Sequence, residues 1–358
     1  MVIDPDKLAQ LRRRISTLSD AQRERLREQL EAQGIDWESL GSEPHSALPM
    51  ADHAKPERIP LTPSQSHVWL LHQLYPELCA YHIPFSWHFS GQLQVESLQQ
   101  AIDEVVSKHS ALRTNFVQDE HGIPWQQVRE IQREAQAVQL AKVEIEGPAS
   151  SPQAAHELTT RPFDLAREPL FRVQLQRVDS DHHILIFVLH HLIADGWSRG
   201  VLLRDLAESY NLALRGSLVN CETATRLQQT EYSVFLADQK WRESGEHDRH
   251  LEYWQRKLAG LTKLALPTDH PRPKTATFAS GLVTKSLRPE LSNKLQQVSQ
   301  QLGATLFMTL LTAFKVFVHR YTRERDIAIG VPVGGRRHAE CADLVGFFVN
   351  TIVLRTLF

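Results

Sequence analysis

Cysteine is scarce: three residues in 358, Cys79, Cys221 and Cys341, odd in number and far apart. They support neither a disulfide framework nor a zinc knuckle. An apolar signal core is also missing, because the chain begins Met-Val-Ile-Asp-Pro-Asp-Lys, and this sets a cytoplasmic expectation. Long apolar runs are absent too. The longest, Ile184 to Leu189 and onward past a His pair to Ala194, is too short to span a bilayer. Nor does one sign of charge dominate: 40 Lys+Arg stand against 42 Asp+Glu, a net charge of −2. That balance excludes an electrostatic footprint for nucleic acid and a polybasic attraction to membranes. What is present is a hydrophobic fraction of 42%, which suits a sizeable core and argues against disorder. At roughly 150 residues per domain, the length allows about two domains.

Residues 1–40 form a distinct leader, dense in charge. Leu8, Leu11, Ile15 and Leu18 recur at helical spacing, and Ser19-Asp20-Ala21-Gln22 fits a capping box before a second helix carrying Leu26 and Leu30. A solvated helical hairpin and a small docking element for a partner chain both fit this leader. Residues 41–57, with Pro, Ser and charge but no periodicity, read as a linker. From about residue 58 the pattern alternates between α and β. Thr62-Pro63-Ser64-Gln65 starts a helix running to Leu74, with Pro63 in its first turn. Strands are expected over Phe85–Phe89, Leu112–Val117, Leu170–Val178 and His183–Leu189, the last apolar enough to be buried on both faces. Helices are expected over Val95–Lys108 and Arg199–Leu214. A second cycle places helices in 231–260, 289–301 and 304–322, with strands near 281–287, 326–331 and 350–357. The expectation is a mixed α/β fold of two lobes, 58–225 and 226–358.

Chemistry concentrates in His190-His191-Leu192-Ile193-Ala194-Asp195-Gly196, immediately after the buried strand. A strand end held in a packed sheet is a rigid platform for an imidazole, which in its unperturbed form titrates near pH 6.5. Gly196 allows a backbone turn that other residues resist. Three competing readings of this segment remain. Paired His beside a strand serve packing in many proteins. A metal site could use His190, His191 and Asp195, whereas His182 and His183 lie roughly 20 Å away at the other strand end, too far for one ion. Gly196-Trp197-Ser198-Arg199-Gly200 formally satisfies a nucleophile elbow, but the His pair occupies the strand end where the elbow Ser should sit.

The segment His190–Gly196 resembles the His-His-x-x-x-Asp-Gly motif of nonribosomal peptide synthetase condensation domains and their chloramphenicol acetyltransferase-like relatives. Further stretches resemble the same family in the same order. Leu61–Trp69 is similar to its opening Ser-x-Ala-Gln…Trp helix, with Ser66-His67-Val68 where an Arg is usual. Lys108–Phe116 is similar to its Arg-His-x-x-Leu-Arg-Thr-x-Phe segment, and Tyr232–Phe235 is a weakened version of a later helix. Ile329–Arg336 and Val345–Thr351 match two late motifs closely. The likeness runs from about residue 59 to the end.

That resemblance implies two lobes with mixed sheets flanked by helices, the second lobe incomplete, and an amide-forming acyltransferase. The amine of an acceptor aminoacyl thioester attacks a donor acyl or peptidyl thioester, both delivered on phosphopantetheine arms by carrier proteins. His191, with His190 beside it, orients or deprotonates the amine; Gly196 leaves room for the thioester and offers its N–H to the oxyanion. Asp195 is structural, with Arg113 and Arg336 as candidate partners. Ser198 and Asn350 are weaker site candidates lining a tunnel that needs both lobes. No metal or directly bound cofactor is implied, and the partners are peptidyl or acyl carrier proteins and adenylation domains, with neither nucleic acid nor membrane. An epimerase is disfavoured by Trp197-Ser198, and a cyclisation activity by the absence of its Asp-x-x-x-x-Asp. A starter role stays open. The alternative function is a truncated fragment that binds carrier proteins without catalysis.

Overall fold

A computed structural model describes residues 58–130, 141–144, 152–217 and 237–358, except 272–277 and 279, and the single positions 227 and 234. The helical leader, the linker, Cys221 and Tyr232-Ser233 lie outside the described residues. The chain divides into two compact units. One takes Leu48–Asp248 and Val331–Ile352; the other includes Arg249–Gly330 and Val353–Phe358. The segment carrying Arg336 and the Val345–Thr351 motif thus joins the unit of the His pair, although the boundary expected from sequence falls at 225/226.

The first unit is built on two sheets. In the smaller, β1 (Ile59–Pro60), β4 (Pro124–Val128) and β3 (Thr114–Gln118) run in the order β1-β4-β3. The larger has the order β2-β7-β6-β5, from β2 (His82–Ser90), β7 (His182–His190), β6 (Phe171–Arg177) and β5 (Ala141–Glu144). β7 is central and antiparallel to both neighbours, pairing His190 with His82 and Leu189 with Phe171. Its run Ile-Leu-Ile-Phe-Val-Leu is nearly all buried, as a strand covered on both faces requires.

Helix α1 (Pro63–Leu74) opens with a full capping box: Thr62 accepts from the Gln65 N–H, and the Gln65 side chain accepts from the Thr62 N–H. Leu98, Ala101, Ile102, Val105 and Val106 place one buried stripe on α2 (Val95–Lys108), which packs against α4 (Ser198–Leu214). A short helix, α3 (Pro152–Thr160), precedes β6. Residues of α2, α4, β6 and β7 share one core with Leu192, Ile193, Ala194 and Val345. The site motif therefore ends a strand rooted in this core.

The second unit holds most of α5 (Glu246–Leu258), all of α6 (Pro289–Gln301) and α7 (Leu306–Thr322), and much of the two-stranded sheet of β8 (Asp326–Val333) and β9 (Asn350–Leu357). Arg355 ties β9 to Asp326 of β8, at 2.8 Å from Nε to Oδ1, and to the carbonyls of Lys257 and Ala259. The strand expected near 281–287 is not formed. Leu282 and Val283 are over nine-tenths exposed, and no described segment runs beside them to complete a ladder. Leu112 and Arg113 also depart from expectation, lying in a 3₁₀ turn, Ser110–Arg113, before β3. No single described helix is long and apolar enough to cross a membrane.

Candidate functional site

The main chain of the His pair is tied on every side. The His190 N–H donates to Leu170 O (2.9 Å), the His191 N–H to Tyr81 O (2.8 Å), and the Ile193 N–H to His190 O (3.1 Å). His190 is 1% exposed, and its Nδ1 accepts from the Leu192 N–H at 3.2 Å. Its ring meets His72, His82 and Phe163 edge-on, each centroid 5.9 Å away. Burial, then the proximity of His82, His72, His191 and Arg172, pushes the His190 imidazole far below its ordinary value. It is therefore a neutral, buried group that shapes the turn. The two adjacent histidines thus differ in burial, His190 closed off and His191 half-exposed.

His191 is the half-buried member of the pair. Its ring lies between Phe347, at a centroid distance of 4.7 Å, and Tyr81, at 6.4 Å. Its Nδ1 is buried without a hydrogen-bond partner among the described residues. A ring clamped by two aromatic edges keeps its direction at little entropic cost, as a catalytic imidazole requires.

Asp195 is buried to 1% exposure and belongs to a polar knot. Its Oδ1 accepts from the Ser198 N–H (2.9 Å), the Ser198 hydroxyl (2.8 Å) and Arg336 Nη2 (3.0 Å), while Oδ2 accepts from the Phe348 N–H (3.3 Å). Arg336 also donates to the carbonyls of Cys341 (2.5 Å) and Leu344 (2.8 Å) and lies over the Phe348 ring at 4.3 Å. Ser198 Oγ accepts from the Gly346 N–H at 3.1 Å. The knot thus binds the motif turn to the 336–348 segment, using the planar fork of an arginine.

Of the two expected partners of Asp195, Arg336 is the one in contact. Arg113 instead donates to the carbonyls of Val106, Ser107 and Arg129, closing the turn between α2 and β3. Ser198 is wholly buried inside the knot. Asn350 is exposed, with its Oδ1 accepting from the Thr351 N–H, outside the knot. Gly196 is exposed, its φ is not positive, and a Cβ there would meet nothing within 4 Å. Neither backbone strain nor crowding requires a glycine here. Gly335 is the conformationally required one, with φ +65° and a Cβ that would fall 1.8 Å from Phe348 O. Among the described residues, no three His, Cys, Asp or Glu side chains converge as metal ligands.

Sequence reasoning assigned no role to several groups that build the site. Gln65 and Phe347 stand inside quoted motifs, so their presence was visible but not their contacts. Tyr81 gave no signal. A second buried cluster joins α2 to α4: Asp205 accepts from His109 Nε2 (2.7 Å) and pairs with Lys108 (2.9 Å) and Arg204 (3.0 Å), and Arg204 reaches Asp343 (2.6 Å). Burial alone would raise the Asp205 carboxyl. The bonds from His109 and Lys108, with their charges, reverse this and hold it well below the usual carboxylate range.

Comparison with known proteins agrees with this picture. A family model described as Condensation domain matches residues 55–358. One of the linear gramicidin synthase proteins of Brevibacillus parabrevis is 34% identical over 336 residues, covering 93% of this chain and 6% of that protein. The chondramide synthase cmdD of Chondromyces crocatus is 35% identical over 329 residues, covering 87% of this chain and 8% of that protein. The chain thus spans less than a tenth of either relative. The solved first condensation domain of the CDA synthetase has the same fold, with a TM-score of 0.71 at 24% identity over 84% of this chain and 70% of that one.

Proposed function

Because the chain belongs to the condensation-domain family of nonribosomal peptide synthetases, we propose that it joins two carrier-bound substrates through an amide. The amine of an aminoacyl thioester attacks the carbonyl of an acyl or peptidyl thioester. A C–N bond forms and the C–S bond breaks. The amine gives up one proton and the departing thiolate takes up one, so no external acid, base or oxidant is consumed. Phosphopantetheine enters as the arm of each substrate, supplied by carrier proteins, with adenylation domains loading them.

One observation carries the assignment of roles: of the two motif histidines, only His191 is accessible, on a main chain fixed by Tyr81 O and between two aromatic edges. His191 orients the attacking amine and relays its proton, a contribution of about 10²–10⁴-fold where general acid–base transfer is rate-determining. Asp195 and Arg336 hold the turn without touching substrate. Gly196, five residues on, leaves open space at the motif turn for the thioester.

The test is amide formation from a panel of loaded donor and acceptor carrier-protein pairs, read by mass spectrometry of the acceptor. Product from the wild type, with a loss of about 10²-fold or more in His191→Ala, is the expected result. Product at the wild-type rate from that variant overturns the role of His191. Carrier binding without product from any pair would favour a carrier-binding fragment.

A further inference from the structure

The amide of Gln65 does more than cap a helix, and we propose that it is a positioning residue for His191; this rests on the reading of His191 given above. Gln65 is 6% exposed. Its Oε1 accepts from the Thr62 N–H at 2.9 Å, which forces Nε2 to the opposite side. From there Nε2 donates to Leu192 O at 3.1 Å and to Gln126 Oε1 at 3.2 Å. Gln126 in turn donates through its own Nε2 to Pro60 O at 2.9 Å. Each amide orientation is therefore dictated by the next, and a directional chain runs from β1 through β4 and α1 to the carbonyl beside His191.

The residue type makes the distinction. A capping box accepts Glu as readily as Gln at this position, because the cap needs only an acceptor. Leu192 O needs a donor, which an amide provides and a carboxylate does not. Leu192 is thus held at both main-chain groups, its N–H by His190 Nδ1 and its carbonyl by Gln65. His191, the residue before it, inherits that rigidity. Loss of the Gln65 donor frees the turn and lets the imidazole swing, where a displacement of about 1 Å at a reacting group can cost on the order of 10²-fold in rate.

The experiment uses the full chain with ¹³Cε1-labelled histidine, the His191 resonance being assigned through His191→Gln. Gln65→Glu keeps the cap and removes the donor; Gln65→Met removes both and serves if Gln65→Glu does not fold. Thr62→Ala breaks the cap and leaves the donor to Leu192 O. Both Gln65 variants should move the His191 resonance and lower kcat about 10- to 100-fold, with KM for the loaded carriers nearly unchanged. At matched acidic pH the Gln65→Glu and wild-type resonances should converge, since a protonated carboxyl donates again. Thr62→Ala should lower the melting temperature without moving the resonance. A wild-type resonance and kcat in both Gln65 variants would overturn the proposal, as would an equal displacement in Thr62→Ala. If His191→Ala still makes amide, the reading of His191 fails, yet its resonance in the Gln65 variants still decides whether Gln65 holds the ring.

Discussion

A carboxylate with no solvent access is stable only when every lone pair is answered, and Asp195 meets that condition through Ser198, Arg336 and the Phe348 N–H. Removing the cation leaves a buried charge short of its strongest donor. Arg336→Met should lower stability by about 3–5 kcal/mol in urea titrations, while Ser198→Ala should cost less, about 1–3 kcal/mol. Equal losses would mean that the arginine acts mainly by packing on Phe348. Gly196 offers the opposite test, a residue whose substitution the fold should tolerate. With φ outside the left-handed region and open space for a Cβ, Gly196→Ala should leave stability unchanged or raise it by about 0.4–1 kcal/mol. Amide formation should nonetheless fall if that space admits the thioester. Unfolding of Gly196→Ala would show that the glycine serves the backbone after all.

At the scale of elements, the three histidines around the end of β7 act as one unit toward acid. His190 at the strand end, His82 facing it on β2 and His72 on α1 are all pushed below their ordinary value by burial. The carbonyl of Thr159 partly offsets this for His82, and Asp164 does so for His72; Arg172 and Glu168 also face His82. The folded-state pKa lies below the unfolded one, so the unfolded chain binds more protons between the two values. Stability is then complete above about pH 6.5 and falls below it, by at most about 1.4 kcal/mol per pH unit for each group. Melting temperature should drop from pH 7 to pH 5.5. His190→Asn keeps an acceptor for the Leu192 N–H without a titrating ring, and should flatten the curve; an unchanged slope would exclude His190 as its source. Asp205 adds a later loss, because its depressed pKa makes its contribution disappear only as pH falls below about 4.

These elements also show what a single sequence can reveal. β7 was legible because Ile184–Leu189 is apolar at every position, and α2 because its apolar residues repeat at one helical face. Residues 281–287 hold the β-favouring Leu282, Val283 and Thr284 but lack a partner among the described residues, and residue type cannot report whether a neighbouring backbone exists. The His pair and Asp195 were legible as a motif. Their division of labour was not: burial separates His190 from His191, although the two are adjacent and chemically identical. Arg113 and Arg336 likewise present the same guanidinium, and only the path of the 336–348 segment assigns one of them to Asp195. Gly196 and Gly335 are the same residue type, yet the first has an ordinary φ and room for a Cβ while the second has a positive φ under Phe348 O.

Over the whole molecule, the exposed apolar surface is uneven in a way that predicts behaviour in solution. Helix α7 leaves Phe307 (55%), Leu310 (43%), Phe314 (51%), Phe317 (59%) and Tyr321 (59%) exposed, at the three- and four-residue spacing of a single face. Val318 is the one fully buried residue of this helix. A contiguous apolar face of this kind marks an interaction surface or an aggregation hazard. The 358-residue chain should therefore bind anilinonaphthalene sulfonate in its folded state and associate as concentration rises, both readable by fluorescence and sedimentation. Phe314→Lys together with Phe317→Glu should reduce dye binding and association without lowering the melting temperature, because neither ring is buried. A clear loss of melting temperature would mean that the face already packs against something in the folded chain. Undiminished dye binding would place the sticky surface elsewhere, with exposed Leu282 and Val283 the next residues to substitute.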